Sequence, residues 1–525
     1  MSNRALHVVL WLAAGCSGPK LAPEVILDTG LPLRPPLVDT GVAPASDEIR
    51  GLVSLKLRDR DLLDATIAEL YRPESPTFRQ YMSVDEFMAL HGPTDEDVAV
   101  VSQWLTDAGL TVPRVAKNRM LLQITSTVAE FNTAFDVELR KFVKSDDDDY
   151  FQYGTIDEDV LMIRDVGERI GGILVLDPAA DTKLLPPETG SISLDPPPDM
   201  ESMTIAREAA PYGLGPLYAG GFDGTGSTIG VVAGATFRFK DLQSFWQSQG
   251  ITRDDPERVV TMEPPSTRFI ETTVDIEWAG GIAPGAKIIA YEAPDAHDTS
   301  VVYAFNAAIA DGRADVITDS FAHREDAQPR VIRLFYNDSA RMSAALGITV
   351  VAAGGDSAEP DVPSACPYVT AVGGTTMLLD ASGALVSERA WVLSGSGDSL
   401  IFGAPTWQIG MPQLTGTMRA VVDVALNAGT AHWSYIFGEW GAFGGTSFST
   451  PVFAGIVAVI NQKRRSQGRP VVGFLNQTLY TDPAVQATFR DITTGGTAFH
   501  DAGEGWDYPT GWGAPNAAAL ADALP

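Results

Sequence analysis

Apolar residues change their spacing along this chain, and the changes divide it. Val53, Leu55 and Leu57 alternate with polar neighbours as in a half-buried strand, and Leu62, Leu63, Ile67 and Leu70 then recur at helical spacing. Ser83-Val84-Asp85-Glu86 fits a capping box ahead of Phe87, and Thr94 opens a helix with Val98, Val101, Trp104 and Leu105 on one face. Strand-like Met120 to Ile124 and a helical stretch from Val128 to Phe135 complete a small α+β unit over 47–180. Its acidic run, Asp146 to Asp149, reads as a solvated loop. Further on, short apolar runs at Thr228 to Val232, Lys287 to Tyr291, Val316 to Thr318 and Thr349 to Ala353 alternate with helical stretches at Lys240 to Gln249, Val301 to Ala310 and Asn337 to Leu346. That alternation predicts an α/β fold over 204–525, a parallel sheet with helices on both faces.

The remaining segments have other patterns. Arg4 followed by Val8-Val9-Leu10-Trp11-Leu12-Ala13-Ala14 reads as an export signal over 1–16, too short to span a bilayer. Its exit, Ala13-Ala14-Gly15-Cys16, is similar to a bacterial lipoprotein signal whose cysteine is lipidated, but leucine stands four residues ahead of the cysteine rather than three. Lipid anchoring at Cys16 and plain secretion both stay open. Pro19, Pro23, Pro32, Pro35, Pro36 and Pro44 predict an extended tether over 17–46. The break at 181–203, with Pro186-Pro187 and Pro196-Pro197-Pro198, packs poorly and is a natural site for proteolytic nicking.

Composition narrows the function classes. Among 525 residues 45% are hydrophobic, enough for a buried core, and the formal charge of −30 weighs against nucleic-acid binding through phosphate neutralisation. Two cysteines, Cys16 and Cys366, make neither a disulfide framework nor a cysteine metal cluster.

Three motifs carry candidate chemistry. Gly444-Gly445-Thr446-Ser447-Phe448-Ser449-Thr450-Pro451 precedes an apolar run, so Pro451 suits the first turn of a helix and Ser447 sits at or just before its N-terminus. A serine nucleophile needs a base, and none of the six histidines stands in a His-Gly-Thr setting. Carboxylates are the other candidates. In Glu271-Thr272-Thr273-Val274-Asp275, helical geometry places Glu271 and Asp275 one turn apart, where they share protons. Asp356 follows a strand and two glycines, and a protonated aspartate there can donate to an oxyanion. Taken singly, each also has a plain reading, as a glycine loop capping a buried helix, a solvated acidic helix face and a turn.

In combination, Glu-x-x-x-Asp, Gly-Asp-Ser and Gly-Thr-Ser-x-x-x-Pro, with Ile282-Ala283-Pro284-Gly285-Ala286 and Pro367-Tyr368-Val369-Thr370-Ala371-Val372-Gly373-Gly374-Thr375 beside them, resemble the sedolisin (serine-carboxyl peptidase) family. The resemblance implies a subtilisin-like fold and a self-processing endopeptidase working in acid, with Ser447 as nucleophile, Glu271 as base, Asp275 as supporting carboxylate and Asp356 as oxyanion partner. Ser75-Pro76-Thr77-Phe78-Arg79-Gln80-Tyr81 through Gly109-Leu110-Thr111-Val112 is similar to the family's pro-kumamolisin-type activation domain, which implies a ferredoxin-like α+β prodomain that assists folding and blocks the site until it is cut. Asp491-Ile492-Thr493 with Ala502-Gly503-Glu504-Gly505-Trp506-Asp507 resembles the family's calcium site. That implies one structural Ca2+ on the side chains of Asp491 and Asp507 and the carbonyls of Ile492, Gly503 and Gly505. A monomer acting on protein or peptide substrates is expected. The departures are Ser320-Phe321-Ala322-His323 where the family has Ser-Trp-Gly in its substrate cleft, and Ser396-Gly397-Asp398-Ser399 in place of a glycine-rich stretch. Through the altered cleft, a catalytically silent, surface-tethered binding protein is the alternative reading.

Overall fold

A computed structural model describes residues 25–28, 37–144, 147–154, 159–162, 164–174, 177–178, 203–328, 330–414 and 416–525. The export signal, Cys16 and the proline-rich break up to residue 202 lie outside the described residues.

The N-terminal domain is built on an antiparallel sheet in the order Asp177–Pro178, Glu48–Leu55, Leu121–Thr127, Thr111–Val115, with Ile170–Ile173 also pairing Glu48–Leu55. The helix Val84–Leu90 starts in the expected Ser83–Glu86 capping box, and Asp95–Asp107 and Val128–Phe135 start in boxes of their own at Thr94 and Thr127. Each box satisfies N–H groups that a helix start leaves unpaired. In the helix Arg60–Leu70 the buried stripe is Leu63, Ile67 and Leu70, whereas Leu62 is 60% exposed.

Three local expectations are corrected. The strand Glu48–Leu55 is buried from Ile49 onward rather than half-buried. One face, with Ile49, Val53 and Leu55, packs on its own domain, and Leu52 joins a core that contains Phe305, Ala340 and Ala344 of the second domain. Part of the expected tether is strand: Val25–Asp28 pairs Asp159–Met162, and Leu37–Val42 pairs Arg140–Lys144. Asp147 to Asp149 of the acidic run lie in the strand Asp147–Gly154 on the other side of Arg140–Lys144, because a backbone partner there outweighs the poor strand propensity of aspartate.

In the second domain an eight-stranded sheet runs Glu257–Val260, Lys287–Glu292, Thr228–Ala233, Val316–Asp319, Thr349–Ala353, Thr370–Leu379, Leu385–Ala390, with Val424–Asn427 also pairing Thr370–Leu379. All pairings are parallel except that of Leu385–Ala390, so the expected parallel sheet is mixed at one edge. Successive strand residues face opposite cores. Ile229 and Val231 pack with Val274, Ile276 and Val452, while Val232, Ile289 and Ile317 pack with Val301, Phe305 and Ile332. Burial on both faces is why these strands read as unbroken apolar runs. The helices Ile270–Ile282 and Thr446–Ser466 cover the first face, and Asp298–Asp311 and Arg330–Leu346, against which the N-terminal domain docks, cover the second.

Candidate active site

Ser447 is the second residue of the helix Thr446–Ser466 and is half-buried at its N-terminal end. Two glycines permit that position. A Cβ at Gly445, whose φ is +141°, would stand 2.6 Å from Asp356 Oδ2, and one at Gly444 would stand 2.7 Å from the Ala428 carbonyl oxygen. Pro451 lies inside the helix rather than in its first turn. Having no N–H, it offers no bond to the Ser447 carbonyl one turn back.

The serine hydroxyl bears on Glu271, in the first turn of Ile270–Ile282, and favours its ionised carboxylate. One turn further in, Asp275 is fully buried and its Oδ1 accepts the Ser320 hydroxyl at 2.7 Å. Burial raises Glu271 to about 7 against the opposing influence of the Ser447 hydroxyl, with the Asp356 charge adding to the rise. Burial, followed by the Glu271 charge, pushes Asp275 well above the usual carboxylate range. The two therefore titrate as a pair, with Asp275 holding its proton while Glu271 ionises.

Asp356 follows the strand Thr349–Ala353 and two glycines, facing the same helix start. Its Oδ1 accepts both the N–H and the hydroxyl of Thr446 at 2.8 Å. Desolvation raises its carboxyl, and the two Thr446 bonds partly offset the rise. The fold thus brings the four residues singled out in the sequence to the facing ends of two helices and a strand.

Histidines are otherwise engaged. His432 is buried against Phe448, Glu208 and Asn427, and His323 lies with Nδ1 3.5 Å from Asp298. His297 contacts Asp295, and His500 stacks on Tyr508. Cys366 is buried, and burial pushes its thiol well up. Thr446 and Ser320, named in the sequence only within their motifs, contact Asp356 and Asp275, and Asp319, without a role in the sequence reading, is buried next to Ser320 in the chain. The available signal was a carboxylate ending the apolar run Val316-Ile317-Thr318. At the altered cleft segment, Phe321 packs on Phe269 with ring centroids 5.8 Å apart and closes over Gly234, where a Cβ would meet its ring at 2.4 Å.

At the C-terminal end, Asp507 Oδ2 accepts the Gly503 N–H and Asp491 Oδ2 accepts the Gly505 N–H, each at 2.8 Å. Burial first, with the nearby Asp491 charge, lifts Asp507 to about 6. Among the described residues no three His, Cys, Asp or Glu side chains gather in metal-binding range. Two carboxylates on glycine-rich backbone nonetheless fit an oxygen-loving dication whose other ligands are carbonyls, and they do not fit zinc.

Comparison with known proteins agrees with this arrangement. Residues 35–159 match the family model described as the pro-kumamolisin activation domain, and residues 268–513 match that of the subtilase family. The chain is 32% identical to kumamolisin of Bacillus sp. (strain MN-32), covering 95% of this chain and 96% of that protein. It is 25% identical to sedolisin of Pseudomonas sp. (strain 101), over 89% and 86%, and 25% identical to tripeptidyl-peptidase 1 of Canis lupus familiaris, over 98% of each. The solved structure of Pseudomonas sedolisin, a serine-carboxyl proteinase complexed with two molecules of pseudo-iodotyrostatin, superposes with a TM-score of 0.51 at 25% identity, covering 57% of this chain and 92% of that one. The subtilisin-like α/β fold and the small activation domain are therefore as expected, and the chain belongs to the sedolisin family of serine-carboxyl peptidases, as a hydrolase that carries its own activation domain.

Proposed function

We propose that this protein is an exported, self-processing endopeptidase that cleaves peptide bonds in acid through Ser447, Glu271 and Asp275. The observation that supports this most directly is the convergence of Ser447, Glu271 and Asp356 at one helix start, with the fully buried Asp275 one turn behind Glu271. Glu271 takes the hydroxyl proton as Ser447 Oγ attacks the peptide carbonyl carbon, and the carbonyl oxygen becomes an oxyanion. Neutral Asp356 donates a hydrogen bond to that oxyanion. As the C–N bond breaks, Glu271 passes its proton to the leaving amine, and the acyl group remains on Ser447. Water then gives a proton to Glu271 and its oxygen to the acyl carbon, and collapse returns the serine hydroxyl. Protonating Asp356 also withdraws a charge that raises Glu271, so acid helps Glu271 to act as an ionised base.

The activation domain is the intramolecular inhibitor and folding aid, and maturation cuts within 181–203. The carboxylates of Asp491 and Asp507, with the carbonyls of Ile492, Gly503 and Gly505, would hold one calcium ion, which ties the C-terminal loop down and takes no part in the chemistry. Export places the enzyme outside the cytoplasm, free or anchored at Cys16. Among the described residues no helix is long and apolar enough to cross a membrane.

Self-processing of the purified precursor, followed by mass spectrometry between about pH 3 and 7, tests this reading, since neutral Asp356 and ionised Glu271 must coexist. Wild type should shed its activation domain in acid only, and Ser447→Ala and Glu271→Gln should stay whole. Cleavage that persists in either variant would overturn it.

A further inference from the structure

One histidine is buried directly behind the proposed nucleophile. His432 opens the strand His432–Ile436, and its side chain is fully enclosed. The imidazole stacks on Phe448, the residue after Ser447, with centroids 4.5 Å apart and planes 9° from parallel. It also meets the Trp278 ring edge to face, at 4.6 Å and 90°, and Trp278 lies two turns beyond Glu271 on the same helix. Trp278 and Phe448 are in T-shaped contact themselves, with centroids 5.8 Å apart. A single imidazole therefore touches a ring of the serine helix and a ring of the glutamate helix.

The other side of His432 faces a different part of the chain. Its Nε2 stands 3.4 Å from Glu208 Oε2, and Glu208 is fully buried on the short helix Ile205–Ala209. Asn427 settles the tautomer. Its Oδ1 accepts the Thr430 N–H at 3.2 Å, and its Nδ2 donates to the Thr430 carbonyl and to Glu208 Oε2, each at 3.3 Å. Both amide hydrogens are then used, and His432 Nε2, 3.2 Å from the same Nδ2, is left to donate to Glu208. Glu208 belongs to the first described segment after the proline-rich break, and that segment is pinned at its start. The Met203 N–H donates to the Ala431 carbonyl at 2.7 Å, and the Trp433 N–H donates to the Met203 carbonyl at 3.2 Å. Ile205 Cδ1 fills the space that a Cβ at Gly281, on the glutamate helix, would take.

A buried polar pair adds little net stability over apolar packing, but it accepts only one arrangement of its groups. We propose that His432 is a positioning residue for Ser447 and Glu271, and that through Glu208 it makes the segment Met203–Ala209 a strut of the active site. The inference rests on the catalytic reading above. Glu208 fixes the imidazole through Nε2, and the imidazole fixes Phe448 with its face and Trp278 by the edge contact. Those two rings sit beside the nucleophile and behind the base. His432 takes no proton from Ser447, because its Nε2 is turned to Glu208 and the whole side chain is enclosed. The strut also bears on maturation. A cut ahead of Met203 leaves it whole, whereas a cut beyond Glu208 would remove it, so the mature chain must keep Met203 to Glu208.

Two substitutions each break one link and keep the other. His432→Gln keeps a nitrogen that can reach Glu208 but removes the ring, and His432→Phe keeps the ring but removes the nitrogen. The test is kcat and KM for a peptide substrate, per folded molecule of fully processed enzyme in acid. In both variants kcat should fall about tenfold or more while KM stays within about threefold of wild type, since an ångström of misplacement costs on the order of a hundredfold. Wild-type kcat in both folded variants would make His432 an ordinary core residue and overturn the proposal, and so would a loss confined to KM. Mass spectrometry of the processed wild type needs no variant to fold: the mature chain should retain Met203 to Glu208, and an active chain that has lost Glu208 overturns the strut. Ser447→Ala and Glu271→Gln precursors run alongside. If either keeps wild-type cleavage, the catalytic reading itself has failed; if both are dead while the His432 variants keep wild-type kcat, this inference alone has failed.

Discussion

Gly455 on the serine helix lies directly against Ile282 on the glutamate helix: a Cβ at position 455 would stand 2.7 Å from the Ile282 Cβ and 3.1 Å from the Ala279 carbonyl oxygen. The distance between Ser447 and Glu271 therefore depends on a contact between the bodies of their two helices. Gly455→Ala should cost about 1–3 kcal/mol through overpacking. Its larger effect should be kinetic, since an ångström of misplacement at a reacting pair lowers turnover by on the order of a hundredfold. Differential scanning calorimetry and kcat on the same sample check this; full activity in Gly455→Ala would mean that the helices can part without moving the pair.

Thr446 sets where Asp356 titrates. Its N–H and hydroxyl favour the ionised carboxylate, opposing the rise caused by burial. Thr446→Val removes the hydroxyl, so the neutral aspartic acid should persist to higher pH and the alkaline limb of activity should move up by roughly half a unit. A limb that moves down would contradict the role given to neutral Asp356.

Buried carboxyls also make stability fall with rising pH. Asp319 sits at about 8 and Glu271 at about 7 in the folded protein, and Asp275, Glu277 and Asp361 are pushed well above the usual range, in each case chiefly by burial. The folded state then binds more protons than the unfolded chain from about pH 4 upward, so stability is present in acid and is lost as pH rises through the folded values. Asp319 alone contributes on the order of 5 kcal/mol at most to that loss. The melting temperature of the Ser447→Ala protein should drop between about pH 4.5 and 8, and a rise over that interval would contradict the assignment.

The domain interface responds in a different direction. Arg50 Nη2 reaches both Asp295 oxygens, at 2.6 and 2.7 Å, and His297 lies beside them. Burial pushes Asp295 up, but the His297 bond and the Arg50 charge pull it well below the usual carboxylate range. Burial lowers His297, and the Asp295 bond more than restores it, leaving the imidazole above its ordinary value. The Asp295 contribution is lost only in strong acid, and that of His297 is lost as pH rises, so mild acid leaves this contact intact. Ser447→Ala precursor should therefore keep its domains docked in mild acid by small-angle scattering. Arg50→Ala, which strands a largely buried carboxylate, should weaken docking by about 3 kcal/mol.

Calcium should matter less in acid. Asp507 titrates at about 6, raised by burial and by Asp491, and a proton there competes with the ion. Added calcium at a hundredfold excess over its dissociation constant should stabilise the neutral protein by about 2.7 kcal/mol, and by progressively less below about pH 6. Asp507→Asn should lose that gain. A melting temperature indifferent to calcium and to chelator at every pH would remove the ion from this loop.

Local signals in the chain were enough for the capping box at Ser83, the helix start at Thr94, the unbroken apolar strands, and the helix turn that stacks Glu271 over Asp275, because each depends on residues within a few positions of one another. Gly445 stands before Ser447 in the chain, but the atom that comes against it, Asp356 Oδ2, belongs to a segment ninety residues away in sequence that the sheet carries there. Pairing overrode local preference where the acidic run became strand and where part of the proline-rich stretch joined the N-terminal sheets. Burial of Glu48–Leu55 on both faces followed from docking, which alternation within one strand cannot encode. Asp319 reads in the chain as a polar residue after an apolar run; only the tertiary packing withdraws water from it and raises its carboxyl. Residue spacing determined which groups could act here, and desolvation, which exists only in the assembled tertiary structure, decided which of them hold protons.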